Sequence, residues 1–164
     1  MPIQSPVAAF DAAIAKAMNA EACWQALEAL SAAAGAHKLF TIMTVDLAAN
    51  LASRVYTSNP AFYPVSGTKP IHRDAWFEIV HGEKRSFIAN TIEDIAKVFP
   101  DHATIAALGL GSVINLPVVL RGVLMATVNL LHEAGHYTPA RVATIEAALS
   151  VPAKLALLAA RMPQ

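Results

Sequence analysis

The apolar positions change period several times along the chain, and each change marks an element. Val7, Phe10, Ile14 and Met18 recur at helical spacing behind Ser5-Pro6, a capping hydroxyl followed by proline at the first helical position. Asn19 is placed to cap a second helix over 20–34, with Trp24, Leu27 and Leu30 inward and Gly35 as its stop. From Lys38 the period becomes that of a strand. LFTIMTV (39–45) and ASRVYT (52–57) are rich in branched and aromatic residues, and DLAAN (46–50) between them reads as a hairpin connection.

The next stretch, SNPAFYPVSGTKP (58–70), is dense in Pro, Gly, Ser and Asn and predicts a long loop, a place where compact domains often carry function. A short helix follows over 72–82, ending at Gly82, and then a third strand over 85–90. Residues 91–109 predict one or two short helices, the later one capped near Asp101. Residues 111–120 and 123–132 form the fourth and fifth strands. Thr138-Pro139 repeats the hydroxyl-proline start for a closing helix, bent or broken at Pro152. There is no internal repeat or linker. The pattern describes one α+β domain over 1–164, with N-terminal helices at 6–34, sheet and pocket at 38–132 and a C-terminal helix at 139–162.

Composition narrows the classes. The 164 residues include 12 basic and 12 acidic ones, so the formal net charge is zero, and no basic block exists to follow a nucleic-acid backbone. A hydrophobic content of 55% raises a membrane span, but Arg141, Glu146, Lys154 and Arg161 make the C-terminal stretch read as a buried amphipathic helix. No signal peptide is visible at the N-terminus. The single cysteine, Cys23, excludes an internal disulfide and fits a reducing cytoplasm. The apolar surplus implies that some helix surface is covered by a partner chain.

Chemistry-bearing candidates are few. Gly109 and Gly111 in LGLGSVINLPVVLRGVLMATVNLLH (108–132) follow a helical pattern and open a strand, the reverse of a dinucleotide loop, so they read as a helix end and a turn into the strand. His132 and His136 are four apart, but Gly135 and the preceding strand deny them a helical face, and His37 and His102 look solvated at element boundaries. His81, beside Gly82, is the histidine retained as a pocket group. Cys23 beside Trp24 reads as an ordinary buried thiol, and no Gly-x-Ser-x-Gly occurs. No carboxylate lies in an apolar strand, so acid/base equipment is sparse, and no motif calls for a cofactor or a metal. A rival enzyme reading would use His81 or His72 with Asp74.

Aromatics gather instead. Tyr56, Phe62, Tyr63, Trp76 and Phe77 lie between the second strand and the short helix, and Phe62, Tyr63 and Trp76 are placed to cover a concave site. Asn115 and Asn129 interrupt apolar strands, and a buried amide without partners costs about 1–3 kcal/mol. With a two-residue Arg121-Gly122 turn, Asn115 stands opposite Val128 and the two amides fall on different faces. A three-residue loop or one β-bulge brings them onto the same face. The sequence leaves both registers open.

The order of elements, together with FIANTIEDIAKVFPDHATIAALG (87–109), Ser112 and Pro117 of the next strand and Gly122 of the turn, resembles the GAF domain from about Glu21 to Arg161. Ala126 stands where many GAF domains have glycine. The resemblance implies an antiparallel sheet of five or six strands, with the terminal helices on one face and a ligand under loops and short helices on the other. The fold alone does not fix function. The N-K-x-F-D signature of cyclic-nucleotide-binding members is absent, and Cys23 is in the wrong element for the covalent cysteine of bilin-binding members. The pocket cysteines and strand carboxylates of the free methionine sulfoxide reductases are replaced at the aligned positions by Val113, Asn129 and Leu131.

By the same resemblance, the positions of Val113 and Asn129 both reach ligand, so Asn129 is expected to face the pocket with Asn115 beside it and Thr127 nearby. Asn90 and Thr91 match a recurrent pocket-rim position. The expectation is a cytoplasmic, free-standing small-molecule sensor without an attached output domain. Its ligand would be largely uncharged or amide-bearing, held by Asn129, Asn115 and Asn90 between walls of Trp76, Tyr63 and Tyr56. The family also implies a homodimer through the terminal helices.

Overall fold

The first two helices begin where their capping side chains dictate. In this computed structural model, which describes residues 3–65 and 67–164, Ser5 Oγ accepts from Ala8 N–H at 3.1 Å to start α1 (Pro6–Lys16). Asn19 Oδ1 accepts from Ala22 N–H at 2.9 Å to start α2 (Ala20–Ala33). Each bond satisfies one of the donors that a helix N-terminus leaves open. α2 buries Cys23, Trp24, Leu27 and Leu30 as its spacing predicts. α1 departs from expectation: Phe10 is buried and Ile14 packs at the edge of the core, while Val7 and Met18 are exposed. α1 ends at Lys16, so Met18 lies beyond the face that the helical period would carry inward.

Six antiparallel strands form one sheet in the order β3-β2-β1-β6-β5-β4. They are β1 (Leu39–Asp46), β2 (Leu51–Thr57), β3 (Thr68–Pro70), β4 (Phe87–Ala89), β5 (Ser112–Leu120) and β6 (Val123–His132). β3 lies inside the segment expected to be all loop. It is a three-residue edge strand pairing Thr68 to Pro70 with Ser53 to Leu51, too short to leave a periodic signature and closed by a proline that an edge tolerates.

Two β-bulges decide which side chains reach which face. Leu120 pairs with Val123 and Val119 with Leu124, but Val118 pairs with Ala126, so Met125 is the extra residue. The tight turn between these strands uses Arg121 and Gly122, at φ of 51° and 77°, the left-handed backbone that a two-residue hairpin requires. In the other hairpin Ile42 pairs with Tyr56 and Met43 with Arg54, leaving Val55 as the extra residue. Each bulge inverts the alternation on one side of itself.

α1, α2 and the closing helix α6 (Pro139–Ala160) cover one face of the sheet. There Trp24, Leu27 and Leu149 pack with Phe40, Ile42, Ile114, Val128 and Leu130. α6 runs through Pro152 without a break. By length and composition it is apolar enough to cross a membrane, yet Val142, Ile145, Leu149, Ala153, Ala156 and Leu157 are buried in the domain. It is less amphipathic than expected, because Val151, Leu155 and Leu158 on its outer side are apolar too and exposed.

The opposite face is roofed by short elements: α3 (Ala75–Phe77), which continues as a π-helical turn over Glu78–Gly82, α4 (Ile92–Ala96), α5 (His102–Ala107) and the 58–65 loop. Gly111 admits a close approach rather than a left-handed turn: a Cβ there would lie 2.9 Å from the Cβ of Ala134. Gly109, at φ 76°, does end a helix as expected.

Candidate functional site

Between the sheet and this roof lies a cavity of about 270 Å³. Its floor comes from alternate residues of the central strands: Leu39, Thr41 and Met43 of β1, Thr127, Asn129 and Leu131 of β6, and Val113 and Asn115 of β5. Trp76 and His81 reach it from the α3 segment, Tyr63 from the 58–65 loop, Arg54 and Lys69 from β2 and β3, and Asp101 from the start of α5. Apart from the amides and two threonines, the floor is aliphatic, an arrangement common to small-ligand sites.

The bulge at Met125 resolves the register. Asn115 stands directly opposite Asn129 and both are buried, at 3% and 7% exposure. Trp76 Nε1–H donates to Asn115 Oδ1 at 2.9 Å, Asn115 Nδ2 donates to Asn129 Oδ1 at 2.7 Å, and Asn129 Nδ2 donates to Thr41 Oγ1 at 3.2 Å. An indole nitrogen can only donate, so it orients the whole series: each amide accepts through oxygen and donates onward through nitrogen. One donor hydrogen of each amide remains beyond this series, and both residues line the cavity.

The roof is anchored by polar side chains. Asp74 Oδ1 accepts from Phe77 N–H at 2.9 Å and starts α3. The π-helical turn, closed by Glu83 N–H donating to Glu78 O at 2.8 Å, stacks His81 on Phe77 with ring centroids 4.3 Å apart. His81 is 8% exposed and its Nδ1 has no hydrogen-bond partner among the described residues. Burial first, then the positive charges of Arg73 and Lys84, hold its pKa below the ordinary imidazole value. Tyr63 donates its hydroxyl to Asp101 Oδ2 at 2.8 Å, and burial together with that carboxylate pushes the phenol well above its usual range. Asp101 stands at the start of α5 without capping it through its side chain, because that carboxylate reaches across to the loop instead.

Seven of the residues singled out from sequence line the cavity: Asn129, Asn115, Trp76, Tyr63, His81, Val113 and Thr127. Three lie elsewhere. Tyr56 faces the helices, where it donates to Glu28 and meets Phe40 edge-on, because the bulge at Val55 puts it on the opposite face from Arg54. Asn90 is a structural clamp: its Nδ2 donates to Tyr137 O and its Oδ1 accepts from Tyr137 N–H, both at 2.9 Å. Thr91 caps α4, its hydroxyl accepting from Asp94 N–H at 3.1 Å. Phe62 is exposed on the loop rather than closed over the cavity.

Sequence reasoning missed Thr41, Arg54, Lys69 and Asp101. Lys69 belongs to the unpredicted β3, and Arg54 would have been assigned with Tyr56 to one face by simple alternation. His72 and Asp74 also line the cavity, but among the described residues no hydrogen bond or ion pair joins either His72 or His81 to Asp74. The pairing that acid/base catalysis would need is not formed there.

The other histidines correct two expectations. His37 is not solvated: its side chain is 7% exposed, with Nδ1 2.6 Å from Ser31 Oγ and Nε2 3.8 Å from Glu28. His132 and His136 do meet, with parallel rings 3.4 Å apart, because the turn through Gly135 (φ 77°) folds the chain back. With Glu133 they are close enough to share an ion. However, His132 Nδ1 accepts from Glu133 N–H, His136 Nε2 bonds Gly35 O, and Glu133 pairs with Lys38. Those contacts serve to close the loop.

No protein-family model matches the chain, and no curated protein matches its sequence. Solved structures do match its fold. The GAF domain of a two-component sensor histidine kinase from Bacillus halodurans superposes with a TM-score of 0.68 at 9% identity, covering 87% of this chain and 97% of that one. The phycocyanobilin-bound GAF domain of a cyanobacterial phytochrome gives 0.67 at 13% identity, covering 98% and 96%. The free methionine-R-sulfoxide reductase of Neisseria meningitidis, in complex with its substrate, gives 0.64 at 11% identity over 98% and 95%. The overall fold is thus shared with proteins of very different sequence: the chain has the fold of a GAF domain.

Proposed function

We propose that this domain is a sensory or regulatory module that reversibly binds a small molecule in the roofed cavity. The observation that carries the reading is the oriented series Trp76–Asn115–Asn129–Thr41 across an otherwise aliphatic floor. An apolar core of the same shape would hold without amides, and buried polar groups in a cavity wall provide hydrogen bonds that fix a ligand's orientation. GAF domains of a sensor histidine kinase and a phytochrome are among the structures of similar fold, which supports a signalling role.

The proposal includes a cytoplasmic location and self-association through the terminal helices. Val151, Leu155 and Leu158 recur at helical spacing on α6 and are 43–70% exposed, and Met162 just past the helix end is exposed too, an apolar stripe that a second copy would cover. Thermal-shift screening against a metabolite library tests the binding reading. A saturable rise in melting temperature that disappears in an Asn129→Leu variant is the expected result. A library without a single stabilising compound would sink it.

A further inference from the structure

We infer that the cavity takes a carboxylate-bearing molecule, its acid group set against Arg54 and Lys69 on the β2–β3 side and its apolar body on the Met43–Val113–Leu131 floor. This rests on the binding reading above and names the ligand class. Four formally charged side chains line the cavity, and they are not equivalent. Both carboxylates are already acceptors for the protein: Asp101 for the Tyr63 hydroxyl at 2.8 Å, and Asp74 for Phe77 N–H at 2.9 Å. Neither cation has a carboxylate partner among the described residues. Among the described residues Arg54 donates only to Pro64 O at 3.3 Å, its Nε–H is buried without an acceptor, and its guanidinium lies 5.1 Å from the centre of the Tyr63 ring.

A partly desolvated guanidinium with so little compensation attracts an anion strongly, because a charged donor pair is worth roughly twice a neutral one. Lys69 belongs to the same end. Burial first, then the charge of Arg54, lower its pKa against the partly opposing charge of Asp101, although the residue as a whole is exposed. An acid group between the two would relieve that mutual repulsion. Elsewhere the floor offers neutral amides, hydroxyls and aliphatic carbon, a surface suited to an uncharged body rather than a second ionic group. A carboxylate end replaces the largely uncharged ligand that the sequence suggests, while the body of the molecule stays neutral.

The test compares matched acids and primary amides by thermal shift and calorimetry: benzoate, phenylacetate, hexanoate and octanoate, each against its carboxamide. The expected result is saturable binding of at least one acid, with its amide weaker by about tenfold to a hundredfold, the usual worth of a charge-assisted hydrogen bond. Arg54→Gln should weaken the acid to the level of its amide and leave amide binding unchanged. Lys69→Gln, on an edge strand, provides a second variant with little demand on folding and should weaken the acid alone. Equal binding of acid and amide, wild-type acid affinity in both variants, or no acid binding at millimolar concentration would each overturn the inference. If neutral library compounds still bind in an Asn129-dependent way, the binding reading survives that outcome. If nothing binds at all, both fall.

Discussion

Asn115 and Asn129 face each other directly across β5 and β6, with Asn115 Nδ2 donating to Asn129 Oδ1 at 2.7 Å. The contact depends on Met125, the extra residue of the bulge near the hairpin end. Without it, the tight Arg121–Gly122 turn would set Asn115 opposite Val128, and one amide would be driven into the helix-packed core. A single bulged residue therefore turns two isolated buried amides into one connected polar floor.

Because each amide is the other's partner, removing one should cost more than its own contact. Asn115→Leu leaves the Trp76 indole and Asn129 Oδ1 without their partner, an expected loss of about 1–3 kcal/mol. Adding Asn129→Leu to that variant should cost less than the sum of the singles, since replacing both members of a pair by apolar groups is far milder. Chemical denaturation of the four proteins measures the coupling. Strict additivity would mean that the two amides act independently.

Much of this architecture was readable because it depends on local signals. Ser5, Asn19 and Thr138 announced their helices by capping chemistry that involves only three or four residues. The pocket face was harder, since it depends on alternation holding along a strand, and a bulge breaks alternation without a reliable mark in the sequence. Tyr56 was misplaced for that reason, because the bulge at Val55 separates it from the face that Arg54 occupies. Asn90 and Thr91 show another limit. Both sit where a rim was expected, but Asn90 bonds Tyr137, a partner 47 residues away that no local pattern reveals, while Thr91 caps α4 through Asp94 N–H, a local role that the rim expectation passed over.

Gly111 makes a sharp stability prediction. A Cβ at this position would meet the Ala134 Cβ at 2.9 Å and the Ala134 backbone N at 3.1 Å, so the loop after β6 would have to move. Gly111→Ala should destabilise the domain by about 1–3 kcal/mol, the ordinary cost of overpacking. A companion Ala134→Gly substitution should recover part of it. Equilibrium unfolding decides the matter, and a Gly111→Ala variant as stable as the parent would show that the loop yields freely.

Three histidines give stability a common pH dependence. Burial is the leading cause lowering the pKa of His37, His81 and His132, with Glu28 partly opposing it at His37. A lowered folded value means that the unfolded chain binds these protons more tightly, so unfolding takes protons up. The associated stability is present above the unfolded value of about 6.5 and is lost as pH falls from there toward the lower folded values. The melting temperature should therefore drop as pH falls from about 7 to about 5. His37→Gln should reduce the drop without abolishing it, because His81 and His132 remain. A flat profile in the parent would contradict the assignment.

The outer stripe of α6 is apolar surface that folding of the domain does not explain. Leu149, Ala153, Ala156 and Leu157 point into the domain, whereas Val151 and Leu155 stand 70% and 43% exposed on the other side. A substitution there has no buried partner in the domain to lose, so Val151→Lys with Leu155→Lys should change the intrinsic stability of one chain by no more than about 0.5 kcal/mol per site. Its effect should fall on association instead. A charge placed in an apolar contact must be desolvated without compensation, which disfavours the paired state strongly. Sedimentation velocity across a concentration series should show the parent as a dimer and the double variant as a monomer of unchanged circular dichroism. A parent that stays monomeric at every concentration would assign the stripe to some other contact and remove self-association from the proposed function.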